Sequence, residues 1–268
     1  MKKLFTVLAV MLAAGTLFFG CKKASAPDNS LEELKSRGTF ILGLDDSFPP
    51  LGFRDENNEI VGYDIDLAKE VAKRLGVEFK AQPINWDAKE QELSTGNIDC
   101  IWNGLTITEE RKAILSFTKP YLNNSQIVVV RNDSGINSLA DLAGKKIGLQ
   151  AGSSAQDAVD ANAEFKNSLA EIVPFEQNLM ALTDLSIKGV DGVVMDIVVA
   201  EYSIKASGLP FHTLSETLAA EEYGVAFRKN DLKLTAEVQK ILEEMAKDGT
   251  VEAISKKWFG TDISVIGK

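Results

Sequence analysis

From Leu31 onward, short aliphatic runs alternate with longer stretches whose apolar positions recur at helical spacing, and this predicts an α/β architecture rather than a sandwich or a bundle. Thr39-Phe-Ile-Leu-Gly-Leu44 reads as the first strand. Asp64 through Leu75 reads as a helix: Ile65, Ala68, Val71, Ala72 and Leu75 share a face, acids open it, Lys73 and Arg74 close it, and Gly76 stops it. Ile98 to Trp102 and Gln126 to Val130 are predicted strands, with a short helix from Glu109 to Leu115 between them. A second set follows: strand Lys146 to Gln150, a Gly-Ser-Ser turn, a helix from about Ala155, and a strand from Gly192 to Met195. The last long helix is predicted from Asp231 to Lys247, with Leu234, Val238, Ile241, Leu242 and Met245 turned to the core.

Ahead of this body the pattern changes. Lys2 and Lys3 precede an uncharged, apolar-rich stretch, Leu4 to Phe19, that ends at Gly20-Cys21, the layout of an export signal. A small residue directly before a cysteine resembles the lipobox of bacterial lipoproteins, where the cysteine is lipidated and becomes the new N-terminus. Phe18 departs from that pattern, which usually carries an aliphatic residue three positions before the cysteine, and Leu17 stands one place early. The competing assignment is a retained membrane anchor, because Leu4 to Gly20 lies at the lower limit of about 17 residues for a span. The polar stretch Lys22 to Ser30 fits a tether better. The expectation is a signal peptide over residues 1–20, lipidation at Cys21 and a flexible tether over 21–30. The body is then held to a bacterial membrane on its extracytoplasmic side, in the periplasm or at the cell surface.

Composition narrows the chemistry. The 268 residues carry a formal charge of −10, and a chain that neutralises phosphate backbones normally has a basic face, so nucleic acid is excluded as a partner. One histidine, His212, and two cysteines, Cys21 and Cys100, are too few for a zinc finger or a disulfide framework. Cys100, within Ile98-Asp-Cys-Ile-Trp102, reads as a small core residue. Any chemistry falls to carboxylates, hydroxyls, Lys and Arg.

In Gly104-Leu-Thr-Ile-Thr-Glu-Glu-Arg111, Thr106 or Thr108 can cap the following helix, and Arg111 falls in its first turn. A cation there opposes the helix dipole at about 0.3–1 kcal/mol unless an anion is near. A carboxylate ligand would supply one through a two-pronged guanidinium contact; a surface ion pair with Glu109 or Glu110 would serve as well. Gly152-Ser153-Ser154, between a strand and a helix, either presents N–H groups and hydroxyls to an anion or is an ordinary turn. Asp196 closes its strand, where open α/β sheets collect ligand contacts, and equally could cap the next helix. Asp45 and Phe48 follow the first strand, Trp86-Asp87 is a second loop aromatic, and Asn103 precedes Gly104.

Together these residues resemble the bacterial extracellular solute-binding proteins of the polar-amino-acid class (family 3), receptors of amino-acid ABC importers. The family's run of Gly, aromatic, acid, aliphatic, acid, aliphatic stands here as Gly62-Tyr-Asp-Ile-Asp-Leu67. Further matches are Gly104 to Arg111, Gln150-Ala-Gly-Ser-Ser154, Asp191-Gly-Val-Val-Met-Asp196, Tyr223-Gly-Val-Ala-Phe227 and Lys256-Lys-Trp-Phe-Gly260. The resemblance implies a two-lobed periplasmic-binding-protein fold, each lobe a sheet flanked by helices, with a two-strand hinge and a ligand cleft. Lobe 1 would comprise residues 31–122 plus 223–268, and lobe 2 residues 123–222. It implies that Arg111, with N–H groups near Thr106 and Ser154, takes the α-carboxylate of an amino acid, while Asp196, the Gly104 carbonyl and the Thr106 hydroxyl take the α-ammonium. Asp45, Phe48, Trp86 and Asn103 would form the side-chain pocket, with Asp87, Glu90, Gln150 and Ser153 at its rim. The implied partners are a free polar or basic amino acid, glutamine or arginine first, and the transmembrane subunits of a permease. The chain is expected to be a monomer with no cofactor, metal or catalytic residue.

Two other classes compete. Related domains include dehydratases acting on a cyclic carboxylic acid, and fold alone does not settle function; against an enzyme, His212 lies away from the ligand motifs with no second histidine to form a relay. A ligand sensor would need a separate output chain. Replacing Cys21 with Ser is expected to leave the body folded but move it from the membrane to the soluble fraction on cell fractionation; retention in the membrane would favour a spanning anchor.

Overall fold

The computed structural model describes residues 27–268; the leader, Cys21 and most of the expected tether lie outside the described residues. The first helix, Ser30–Arg37, begins within the stretch read as tether, and Asp28 accepts hydrogen bonds from Ser30 N (3.0 Å) and Lys233 N (2.6 Å). The packed body therefore reaches back almost to the start of the described chain.

Two five-stranded sheets with flanking helices make a two-lobed molecule. In the first, the spatial order is Glu78–Pro83, Thr39–Leu44, Cys100–Ile101, Ala226–Arg228, Leu115–Phe117. Thr39–Leu44 runs parallel to both of its neighbours, and Ala226–Arg228 is antiparallel to its own. The helix Tyr63–Leu75 packs Ile65, Leu67, Ala68, Val71, Ala72 and Leu75 inward and is closed by Gly76 at φ 77°. The second sheet has the order Glu171–Phe175, Lys146–Gln150, Gly192–Asp196, Leu122–Arg131, Phe211–Tyr223. The chain passes into the second sheet along Leu122–Arg131 and back along Phe211–Tyr223, and these two long strands pair antiparallel from Tyr223 opposite Leu122 to Phe211 opposite Arg131.

Sequence and structure differ instructively at two elements. Only Cys100–Ile101 of the predicted strand Ile98 to Trp102 joins the sheet. The Asp99 carboxylate accepts Ile41 N (2.8 Å) and Arg37 Nη2 (2.6 Å), so a side chain takes the donor that a longer ladder would have used. The helix Leu232–Lys247 ends as expected, but Thr250–Phe259 follows it as a further helix.

The two acids of Gly62-Tyr-Asp-Ile-Asp-Leu67 both serve the scaffold. Asp66 accepts Lys257 Nζ (2.6 Å) and Trp258 Nε1 (2.8 Å), docking the last helix. Asp64, fully buried, accepts Gly104 N (2.9 Å) and Tyr121 OH (2.8 Å), joining the loop after Cys100–Ile101 to the entrance of the first crossing strand. Gly62 starts this helix at φ 146°, where a Cβ would sit 2.1 Å from Leu51 O, so no other residue fits.

Burial pushes the Asp64 carboxyl from an ordinary 3.8 up to about 7, despite the bonds from Tyr121 and Gly104 that favour its charge. The folded state then holds a proton that the unfolded chain has lost, so this group's contribution to stability is present in full below about pH 4 and disappears as pH rises through about 7. Asp64→Asn is expected to reduce the fall in urea-unfolding free energy between about pH 5 and pH 8; an unchanged fall would place the Asp64 proton elsewhere.

Candidate functional site

The carboxyl ends of the parallel strands from both sheets meet at the gap between the lobes, where open α/β sheets bind ligands. A nearly closed cavity of about 10 Å³ there is lined by Phe48, Trp86, Gly104, Thr106 and Arg111 from the first lobe and by Gln150, Ser153, Ser154 and Asp196 from the second. The structure brings these nine sequence-predicted residues together. Asp45, Asp87, Glu90 and Asn103 stand around them. Asp45 Oδ2 accepts Gln150 Nε2 across the gap (2.7 Å), and Asn103 Oδ1 accepts Asp45 N (3.1 Å), so Asn103 supports Asp45 rather than lining the cavity. His212 lies away from the cavity, on the far part of the return strand, its Nδ1 2.9 Å from Asn132 Oδ1.

The ambiguity over the two threonines resolves by geometry. Thr108 caps the helix Glu109–Ile114, its Oγ1 accepting Arg111 N (3.1 Å). Thr106 is left to the cleft, where its Oγ1 lies 3.0 Å from Ser154 Oγ and donates to Glu221 Oε2 (2.9 Å). Arg111 is only 8 % exposed and does not form the surface pair with Glu109, which bonds Lys112 instead. Its Nη1 donates to Thr106 O (2.9 Å) and its Nη2 to Gly152 O (3.4 Å), and Glu90 Oε1 is 4.0 Å from Nε. A guanidinium buried against neutral carbonyls favours an incoming anion, because burying charge without a close partner is costly. Ser153 caps the helix Ser154–Ala161, accepting Ala155 N at 3.3 Å, and the N-terminal turn of that helix borders the cavity.

Asp196 occupies the cap position of Ile197–Ser207 without making a cap bond. Its Oδ1 instead accepts Asn124 Nδ2 (2.6 Å), Gln126 Nε2 (2.8 Å) and Tyr223 OH (2.6 Å). Burial, with the Glu221 carboxylate beside it, pushes the Asp196 carboxyl up to about 7. Burial also holds Asp45 above the ordinary carboxylate range.

Sequence reasoning missed Lys89, Asn124, Gln126 and Glu221. Lys89 is 3 % exposed, and its Nζ donates to Trp86 O (3.2 Å) and, across the gap, to Gly152 O (2.8 Å). Burial, then the charge of Arg111, pulls its pKa below the usual lysine range. Within Lys89-Glu-Gln-Glu92 it reads as one more exposed helix charge; the signal is its place directly after Trp86-Asp87-Ala88. Glu221 sits in Ala219-Ala-Glu-Glu222, just before a motif that was recognised.

Comparison with known proteins identifies the family and the fold. The family model described as bacterial extracellular solute-binding proteins, family 3, matches residues 40–261. The chain is similar to the L-cystine-binding protein TcyJ of Escherichia coli, at 31% identity over 97% of this chain and 96% of that protein. Among solved structures it is similar to an ABC uptake transporter substrate-binding protein from Streptococcus pneumoniae with bound histidine, at TM-score 0.86 and 37% identity, covering 89% of this chain and 98% of the other. It is also similar to an ancestral arginine-binding protein bound to arginine, at TM-score 0.78 and 43% identity, covering 84% and 99%.

Gly152 makes one of the closest contacts between the lobes. At φ +69° its backbone lies so close to the first lobe that a Cβ would come within 2.9 Å of Asp87 Cα. Gly152→Ala is therefore expected to prise the lobes apart, increasing the radius of gyration in small-angle scattering while circular dichroism stays unchanged; an unaltered scattering curve would show that the contact yields elsewhere.

Proposed function

Because the chain belongs to the bacterial extracellular solute-binding proteins of family 3, we propose that it captures a polar or basic L-amino acid by closing two lobes over it and hands it to an ABC permease. The lobes in this reading are residues 31–122 with 223–268, and 123–222, and the body hangs from a lipidated Cys21 outside the cytoplasmic membrane. The observation that carries it is a buried cation on one side of the cleft and a buried acid on the other: Arg111 in the first lobe, Asp196 in the second. An amino acid leaving water needs both of its charges paired, or desolvation costs several kcal/mol per ion.

Arg111 takes the α-carboxylate, helped by N–H groups of Thr106 and Ser154. Asp196 takes the α-ammonium, with the Gly104 carbonyl and the Thr106 hydroxyl. A ligand so held touches both lobes, and its preference for the closed arrangement is what shifts the equilibrium between open and closed forms. That shift is the signal a permease reads. Phe48 and Trp86 offer ring faces to the side chain, and Asp45 offers a carboxylate at its far end, a combination that suits a guanidinium, an ammonium or a terminal amide. The ligands named for the related proteins, cystine, histidine and arginine, support a polar or basic side chain. Glutamine and arginine are the first candidates.

The test is a melting-temperature screen of the refolded, ligand-stripped body against each common amino acid. A ligand at a hundred times its dissociation constant adds about 2.7 kcal/mol, a readable shift. For the amino acid that shifts, Arg111→Ala is expected to lose at least about 2–5 kcal/mol of binding by calorimetry, the range for breaking a buried charge pair. Unchanged affinity would sink the carboxylate assignment, and no shift with any amino acid would sink the reading.

A further inference from the structure

Glu221 has no role in the reading above, yet it stands in the same hydrogen-bond cluster as Asp196. Asn124 Nδ2 is 2.6 Å from Asp196 Oδ1 and 2.9 Å from Glu221 Oε2; Gln126 Nε2 is 2.8 Å and 3.1 Å from the same two atoms. Two amide nitrogens thus serve two acids at once. Both amides are turned so that their N–H groups face the acids, leaving Asn124 Oδ1 and Gln126 Oε1 buried without a partner among the described residues. Glu221 Oε2 also accepts Thr106 Oγ1, so this carboxylate ties the return strand to the first lobe as Asp196 enters from the second.

We propose that the Glu221 carboxylate makes Asp196 hold a proton in the ligand-free protein, and that Asp196 releases it when a cationic group of the ligand arrives beside the two acids. The proposal rests on the amino-acid reading, and makes Glu221 a second partner for the ammonium. Asp196 is buried with the half-buried Glu221 carboxylate beside it, so its own charge is costly there, and a proton or an ammonium can relieve the repulsion. The burial that lifts Asp196 to about 7 places the exchange near neutral pH. The surrounding charges do not remove the need for a cation. Asp157 faces the pair from the helix Ser154–Ala161, Glu222 and Tyr223 flank Glu221 on its own strand, and the other crossing strand offers only uncharged Asn and Gln here. Arg111 is the nearby cation, and its guanidinium is turned to the Thr106 and Gly152 carbonyls.

A route for the proton is also present. Thr106 and Ser154 border both the cavity and an open groove along the crossing strands, and Glu221 lines that groove with Asp157, Glu109 and Lys112. The balance is one cation in and one proton out to solvent. Binding therefore strengthens as pH rises through about 7, by up to about tenfold per pH unit below it, and levels off above.

Calorimetry of the whole soluble body with the amino acid identified by melting shift, at neutral pH in two buffers of different ionisation enthalpy, counts the proton. The expected result is release of a substantial fraction of one proton by the wild type. Glu221→Gln is expected to bind at least tenfold more weakly and to move the pH midpoint of affinity downward. Equal enthalpies in the two buffers with pH-independent affinity, or a Glu221→Gln protein that matches wild type in affinity and midpoint, would overturn the pair. The wild-type proton count stands even if that variant does not fold. If no amino acid binds, the amino-acid reading fails separately; an infrared titration of the free protein then decides the pair, supported by a protonated carboxyl near neutral pH that Glu221→Gln shifts and overturned by its absence from the Asp196→Asn difference.

Discussion

The antiparallel pairing of Leu122–Arg131 with Phe211–Tyr223 is the constraint on which the rest of the molecule depends. It is the path by which the chain crosses between the sheets, and its register decides what stands at the floor of the cleft. Asn124 lies opposite Glu221, and Gln126 lies opposite Asp196 on its other side. Residues two apart on a strand share a face, so Asn124 with Gln126, and Glu221 with Tyr223, present their side chains together. Asp196 thereby collects three donors without any loop having to fold over it.

That register also explains which parts of the molecule could be read from the chain alone. The run Gln126 to Val130 is legible as a strand, whereas Asn123-Asn-Ser125, after the core residue Leu122, are polar and break the pattern. Of these, Asn124 is polar because it turns to Asp196 and Glu221 at the cleft instead of to a core, so a residue that hid the strand is one that makes it useful. Arg111 was legible for a different reason: a cation in the first turn of a helix is a local anomaly, and it marks a place where something outside the helix compensates. Glu221 and Lys89 carry no such anomaly. Each sits in a charged, solvent-like run, and the opposite lobe brings Gly152 to Lys89, which is buried, and Thr106 to Glu221, which is half-buried. The shortened strand at Cys100–Ile101 is likewise invisible locally, since the group that interrupts it is the side chain of its own neighbour, Asp99.

The charges of the cleft are divided between the lobes. Arg111 and Lys89 belong to the first, and both donate to the Gly152 carbonyl of the second; Asp196 belongs to the second and faces the first. Within the first lobe Glu90 Oε1 stands 3.3 Å from Lys89 Nζ and 4.0 Å from Arg111 Nε, so their charge is compensated only in part before the second lobe's carbonyl is added. A small zwitterion completes the compensation. In the proposed reading, recognition and closure are one electrostatic event, and the strain of buried like charges is confined to the place where it can be relieved.

Asp64 ties one wall of the cavity to the entrance of the crossing strands. Its carboxylate grips the Gly104 amide in the loop that meets the ligand and the hydroxyl of Tyr121, the residue directly before the first crossing strand. The pivot of the moving lobe is thus bolted to the same fixed point as one wall of the cavity. In the proposed closure the second lobe would turn like a door whose hinge plate is screwed to the frame that carries the strike, so that the gap would close to the same position each time.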